Sequence, residues 1–123
     1  MKKIIIVAIL LAFMPLQTFS LTVSSIKCGL GIKNRQITKE KEEFKVGDKV
    51  YCLSDVTNIS DNDTYIINRW VSDEIKYDVK LEIKPYTRFR TWSYKTVYHP
   101  GVWKMEVLDK KGNLIKEKIF VVK

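Results

Sequence analysis

The chain has 123 residues, a length that favours one domain, and its 22 lysines and arginines outnumber 14 acidic residues to give a formal net charge of +8. Two cysteines and one histidine are too few for a four-ligand zinc site, so we expect neither a metal nor a cofactor. The positive charge suits an acidic partner. A general abundance of lysine in the source proteome is the alternative explanation.

The N-terminal segment has the pattern of a secretory signal peptide. Two lysines precede the apolar run 4–14, and small residues flank Phe19 at the expected cleavage site. The apolar run is shorter than the roughly 20 residues that cross a bilayer as a helix. We therefore predict a signal peptide at 1–20, a mature domain at 21–123 without a stable membrane span, and a periplasmic or secreted bacterial location. A retained anchor is the alternative.

The segment 21–43 contains the first cysteine and the first predicted strand. Residues 21–26 alternate loosely and end near Cys28, after which Gly29 and Gly31 break or bulge the strand. Residues 32–38 are predicted as a short edge segment, and 39–43 as a mixed-charge solvated loop.

The two cysteines are predicted to form a disulfide. An even number of cysteines in a small exported domain favours a bond between Cys28 and Cys52. Closing a loop of this length contributes about 2–4 kcal/mol. Two buried reduced thiols are the alternative.

Apolar and polar residues alternate most regularly in the middle of the chain. Residues 49–57 and 65–71 are predicted strands, separated by a turn at 58–64 that is rich in asparagine, aspartate and serine. Residues 75–84 place five apolar side chains on one face and lysines and acids on the other. This period of two is typical of a strand with one face on a core and the other in water.

Three further strands complete the chain. Residues 86–93 form a strand, and the strand that follows Gly101 points Trp103, Met105 and Val107 inward. In the last strand, 114–122, Ile115 and Phe120 have opposite parity, so a bulge is expected if both lie in the core.

These elements predict an all-β fold. No segment after residue 20 has an apolar stripe of helical period. About seven short strands with turns between them indicate a single antiparallel two-sheet sandwich of immunoglobulin-like architecture.

Several motifs also resemble a known family. They are Tyr51-Cys52, Trp70, Arg90-Thr91-Trp92-Ser93-Tyr94-Lys95, Gly101-Val102-Trp103, and Gly112 followed by Ile115, Phe120 and Val122. The set resembles the bacterial domain of unknown function 2914 family over about residues 28–122. The family pattern has a histidine two residues before the first tryptophan, where this chain has Asn68. The resemblance implies an exported sandwich and no established activity.

The sequence offers no convincing catalytic set, so we predict that the protein is not an enzyme. His99 lies in a predicted loop, which favours a role as a turn residue over a role as a catalytic acid or base. Acids such as Asp78 and Glu82 alternate with lysines, as on a solvated face, whereas a glycosidase needs two buried acids. Ser93 and Lys95 share one face of a strand but show no other feature of a Ser-Lys nucleophile.

One constellation is predicted to bind a ligand or partner: Arg88, Arg90 and Trp92, with Lys95 beside them. An arginine pair next to an indole can hold a carboxylate, a phosphate or a sugar ring. The same residues could instead form a structural ladder with an acid on the next strand.

We therefore predict an exported, non-catalytic β-sandwich binding module of the bacterial cell envelope, with a protein or an anionic envelope polymer as partner. An envelope enzyme or enzyme inhibitor acting through a pocket near His99 is the alternative. Nucleic acid is not expected as a partner, because the chain is predicted to be exported.

Overall fold

The computed structural model of the chain describes residues 21–58, 64–85 and 88–123, and these residues form nine β-strands and no helix. The strands are β1 (Leu21–Lys33), β2 (Gln36–Glu40), β3 (Glu43–Phe44), β4 (Lys49–Asn58), β5 (Thr64–Ser72), β6 (Ile75–Ile83), β7 (Phe89–Thr96), β8 (Gly101–Leu108) and β9 (Leu114–Val122). The predicted signal peptide and most of the predicted 58–64 turn lie outside the described residues.

The strands form two sheets. The first sheet has the order β2-β1-β4-β7 and the second the order β3-β9-β8-β5-β6. All pairs are antiparallel except β3 with β9, which is parallel. The all-β, two-sheet prediction is confirmed, whereas the prediction of about seven antiparallel strands was too simple.

The segment 39–43, predicted as a solvated loop, instead contributes its first two residues to β2 and its last residue to β3. The amide of Val121 donates to the carbonyl of Glu42, and the amide of Lys123 donates to the carbonyl of Phe44. The Phe44 side chain is buried and meets the Phe120 ring edge-on, with 5.3 Å between the ring centroids. One aromatic anchor therefore turns a charged connection into a short strand.

The first strand does not end near Cys28 but continues to Lys33 and turns into β2. A side chain at Gly29 would place its Cβ 2.5 Å from the Ile37 side chain and 2.6 Å from the Thr38 carbonyl oxygen. Only glycine permits β2 to lie this close. The predicted break is therefore a site of close strand approach.

The disulfide between Cys28 and Cys52 is present, as predicted. The two residues lie directly opposite each other on β1 and β4, with Cα atoms 4.1 Å apart, and both are fully buried. The bond links neighbouring strands within the first sheet. It therefore differs from a bridge that joins two sheets.

The second sheet supplies the largest side chains of the core. Trp70 and Trp103 are buried, and both rings contact Phe120, with centroid distances of 6.1 and 6.2 Å. The predicted inward residues of β8 are all buried. The register between β8 and β9 shifts so that Ile115 has no paired residue, which is the predicted bulge.

A buried polar contact joins the two sheets. The Asn68 side-chain nitrogen donates to the Ser93 hydroxyl oxygen at 2.8 Å, and the Trp70 indole nitrogen donates to the same oxygen at 3.2 Å. Ser93 therefore serves as an acceptor within the core. Because buried polar groups are costly when unpaired, this contact fixes how β5 lies against β7.

Candidate functional site

Strand β7 positions most of the residues predicted to bind a ligand. It pairs with β4 so that Trp92 lies opposite Leu53 and Tyr94 lies opposite Tyr51. The residues between them, such as Ser93, lie opposite buried partners and face the core. Alternation therefore places Arg90, Trp92 and Tyr94 on the outer side of the first sheet.

Arg88 lies just before β7 and pairs with an acid on the neighbouring strand. Its guanidinium donates to both carboxylate oxygens of Asp55, with nitrogen–oxygen distances of 2.8–3.1 Å. The hydrogen bond and the charge of Asp55 raise the pKa of Arg88. This geometry matches the ladder that the sequence left open as an alternative. The outer part of the arginine remains in solvent, since 66% of its side chain is exposed.

Arg90 contacts the tip of the β1–β2 hairpin. Its Nη1 donates to the Arg35 carbonyl oxygen at 3.1 Å. Asn34 and Arg35 have φ angles of 53° and 58°, so both occupy the left-handed region that a tight hairpin turn requires. The contact holds the hairpin tip beside β7, on the outer side of the first sheet.

Aromatic and cationic side chains continue along this side. The rings of Tyr51 and Tyr94 lie 5.4 Å apart, and the Lys49 ammonium is 4.1 Å from the centre of the Tyr94 ring. Lys27 of β1 lies opposite Leu53 of β4, which in turn lies opposite Trp92, so Lys27 faces outward as well. We call this surface the basic-aromatic face; it consists of Lys27, Lys49, Tyr51, Arg88, Arg90, Trp92 and Tyr94.

Lys95, which the sequence grouped with the arginines, lies on the opposite side of β7. It pairs with the fully buried Val50, and its ammonium is 4.5 Å from the centre of the Tyr77 ring at the open edge of the sandwich. The structure therefore brings Arg88, Arg90 and Trp92 together and separates Lys95 from them. Lys95 shares the inward side of β7 with Ser93, whose hydroxyl oxygen accepts hydrogen bonds from Asn68 and Trp70.

Four members of the basic-aromatic face were not predicted from the sequence: Lys49, Tyr51, Tyr94 and Lys27. The alternation of residues 49–57 carried a signal for the first two, because it places them opposite in parity to Val50 and Cys52. Their contact with Tyr94 depends on the register between β4 and β7, which no local pattern specifies.

The outer side of the second sheet has a different character. Arg69 and Asp78 form a bidentate ion pair with nitrogen–oxygen distances of 2.8 and 3.0 Å, and Lys80 lies 3.8 Å from Glu82. The hydrogen bond from Arg69 holds the pKa of Asp78 below its ordinary value. Cations on this side are therefore matched by acids.

His99 lies in the loop between β7 and β8 and lines a cleft. Its Nε2 is 2.7 Å from a carboxylate oxygen of Asp73, and both side chains are substantially exposed. Its carbonyl accepts a hydrogen bond from the Trp103 indole at 2.8 Å. The cleft has a volume of about 330 Å³ and is lined by Ile75, Lys95, Thr96, Tyr98, His99, Pro100 and Trp103.

Two further features of the described residues bear on function. Within residues 21–58, 64–85 and 88–123, no three histidine, cysteine or carboxylate side chains come together as a metal site. The same residues include no apolar helix of membrane-spanning length.

Strands β5 to β9 lie within a segment that matches a known family. The family model described as "Protein of unknown function (DUF2914)" matches residues 63–122. This part of the chain belongs to the DUF2914 family. The match confirms the predicted resemblance, although it begins after the early motifs at Tyr51-Cys52. The DUF2914 segment includes β5, β6, β7, β8 and β9, and therefore Arg88, Arg90 and Trp92.

Solved structures resemble this chain in fold. A β-glucosidase from Listeria innocua matches with a TM-score of 0.53 and 15% identity, over 83% of this chain and 15% of the enzyme chain. A mutant of that enzyme in complex with laminaribiose matches with a TM-score of 0.53 and 16% identity, over 84% of this chain and 16% of the other. The chain thus spans about a sixth of these proteins, and the likeness concerns the fold alone. No curated protein matches its sequence.

Proposed function

We propose that this protein is an exported, non-catalytic, immunoglobulin-like module that binds an anionic polymer of the bacterial cell envelope through its basic-aromatic face. The imbalance of charge on that face is the observation that carries the proposal. The outward cations of the first sheet are Lys27 and Lys33 of β1, Lys49 of β4, Arg90 of β7 and Arg88 just before β7, and Asp55 is the single outward acid of β1, β4 and β7. Glu40 of β2 adds one acid at the margin.

The second sheet provides an internal comparison. Its outward cations are Arg69, Lys76, Lys80 and Lys104, and its outward acids are Glu43, Asp78, Glu82, Glu106 and Glu117. The two sheets carry similar numbers of outward cations, as a general abundance of lysine would produce, so the difference between them lies in the acids. With few acids to balance its cations, the outer side of the first sheet has a net positive charge that favours attraction to a polyanion.

The aromatic residues of the basic-aromatic face could add stacking contacts with a ligand to the attraction between charges. The Tyr94 side chain is 51% exposed, and Trp92 is half-buried beside it. Exposed rings interleaved with cations can stack on sugar rings while the cations neutralise phosphate or carboxylate groups. The disulfide supports export, because such bonds persist in oxidising compartments.

Retention on isolated cell envelopes tests the proposal. We expect the double variant Lys27→Ala/Lys49→Ala to lose most of its retention at low salt, and the native protein to be released as the salt concentration rises. Arg88→Ala/Arg90→Ala should lose retention as well. The matched control is Lys76→Ala/Lys104→Ala, which removes the same charge from the second sheet and should be retained normally. Equal retention of both lysine double variants would refute the proposal.

A further inference from the structure

The open edge of the sandwich is separate from the basic-aromatic face. Strand β6 ends the second sheet and β7 ends the first, and the two strands lie near each other on one side. Because they run in opposite directions, the start of β6 lies near the end of β7. The cleft occurs at this end, between Ile75 and Thr96.

Apolar side chains that point inward are not covered here. Ile75 and Tyr77 lie opposite the buried residues Ser72 and Trp70, so they belong to the core side of β6. They are nevertheless 37% and 47% exposed. The first sheet ends at β7, so at this end nothing in the described chain covers them fully. The cleft therefore has an apolar wall, with Trp103 also lining it.

The cleft also contains a cation without a carboxylate partner. Lys95 projects from an inward-facing position, and its ammonium lies over the Tyr77 ring. No carboxylate of the described residues forms an ion pair with it. Asp73, in the turn before β6, contacts His99 instead. An anion entering the cleft would therefore meet an ammonium group that is not neutralised.

The two strand edges beside the cleft differ. The outward side chains of β6 alternate between lysine and acid, which is a common protection against pairing with another strand. At Lys95 and Thr96, no described strand pairs with the outer edge of β7. An inward-pointing lysine also discourages an added strand, unless the strand carries an anion that neutralises it.

We propose that this cleft binds the carboxyl terminus of an extended peptide from a partner protein. The peptide backbone adds a strand beside the end of β7, its last apolar side chain packs against Ile75 and Trp103, and its terminal carboxylate pairs with Lys95. An apolar pocket, a cation and an unpaired strand edge are the three elements that such recognition uses. The requirement to neutralise Lys95 makes the carboxylate the group that selects the ligand.

A pair of peptide mixtures tests this site. The probes are random hexapeptides with free carboxyl termini and the same mixture with amidated termini, each passed over the immobilised mature protein. We expect retention of free-carboxyl peptides with an apolar last residue, at least about tenfold above their amidated forms, because a charge-assisted hydrogen bond is lost on amidation. Equal retention of the two mixtures, or retention that depends only on internal acids, would overturn the proposal.

Two substitutions separate the charge of Lys95 from the space it fills. Lys95→Met keeps the unbranched side chain and should lower retention about tenfold or more, whereas Lys95→Arg keeps the charge and should retain binding. Lys104→Met, on the outer side of the second sheet, is the matched control and should bind normally. Binding by Lys95→Met at the native level would overturn the proposal. The variant Lys27→Ala/Lys49→Ala should bind the peptides normally, so this site and the basic-aromatic face can fail independently.

Discussion

The two sheets of the sandwich are stabilised by different interactions. The first sheet carries a disulfide between β1 and β4, and its outward cations contact aromatic rings and backbone carbonyls, with Asp55 as the main acid. The second sheet contains Trp70 and Trp103, and its outer side matches cations with acids such as the Arg69–Asp78 pair. Thus one sheet is strengthened by a covalent bond and the other by large buried rings.

This difference has a consequence for binding. On the first sheet Arg88 pairs with Asp55, but the Lys49 ammonium contacts the Tyr94 ring and Arg90 donates to a backbone carbonyl. The charges of Lys49 and Arg90 can therefore remain available to a ligand. Where cations and acids already pair, as between Arg69 and Asp78, an external anion must compete with an existing partner. The following predictions test the contrast, beginning with the largest expected effect.

The largest difference in stability is expected between variants of a second-sheet tryptophan, Trp103, and the first-sheet tryptophan, Trp92. Trp103→Ala removes a buried ring that stacks on Phe120 and should lower the free energy of unfolding by about 3–5 kcal/mol. Trp92→Ala, on the outer side of the first sheet, should cost only about 1–2 kcal/mol, because this ring is half-buried. Urea denaturation followed by circular dichroism measures both. Similar losses in the two variants would contradict the contrast.

The disulfide should account for the next largest effect. Cys28→Ala/Cys52→Ala opens a loop with a sequence separation of 24 residues and should lower the free energy of unfolding by about 3 kcal/mol. Thermal unfolding with and without a reductant measures this loss. The reductant should destabilise the native protein and leave the double variant unchanged. A native protein indifferent to reduction would show that the first sheet does not depend on the bond.

The polar contact between the sheets should have an intermediate effect. Ser93→Ala removes the acceptor used by Asn68 and Trp70 and should cost about 1–3 kcal/mol, because two buried donors lose their partner. Ser24→Ala makes the same chemical change on an exposed hydroxyl and should cost less than about 0.5 kcal/mol. Chemical denaturation of the two variants gives the comparison. Equal values would mean that Ser93 does not join the sheets energetically.

The smallest effect concerns the ion pair on the second sheet. Arg69→Met should raise the pKa of Asp78 towards its ordinary value of 3.8, because the hydrogen bond from Arg69 is lost. Since the folded pKa is lowered, this carboxylate stabilises the native protein above 3.8, and the contribution disappears as the pH falls through the lowered pKa. Nuclear magnetic resonance titration of the carboxyl carbon measures the shift. Arg88→Met, on the other sheet, should leave the pKa of Asp78 unchanged.

Part of this architecture could be read from local patterns. The alternation of residues 75–84 predicted a strand, and the inward positions of Trp103, Met105 and Val107 were confirmed because side-chain parity in a strand is a local property. The opposite parity of Ile115 and Phe120 predicted the bulge for the same reason. The same parity rule places Lys95 on the core side of β7, opposite to Arg90 and Trp92. Its predicted grouping with Arg88, Arg90 and Trp92 followed their closeness in sequence and was wrong about the side of the strand.

The sequence by itself determined the strand character, the disulfide and the family resemblance, since each depends on the spacing of residues along the chain. Only the tertiary structure decided which strands are neighbours and therefore which side chains meet. Arg88 pairs with Asp55, the Lys49 ammonium lies over the Tyr94 ring, and Lys95 lies in a cleft between two sheet edges. Such contacts depend on the register and order of strands distant in sequence, which are selected by burial of the whole core. The two proposed binding surfaces are therefore products of the assembled sandwich.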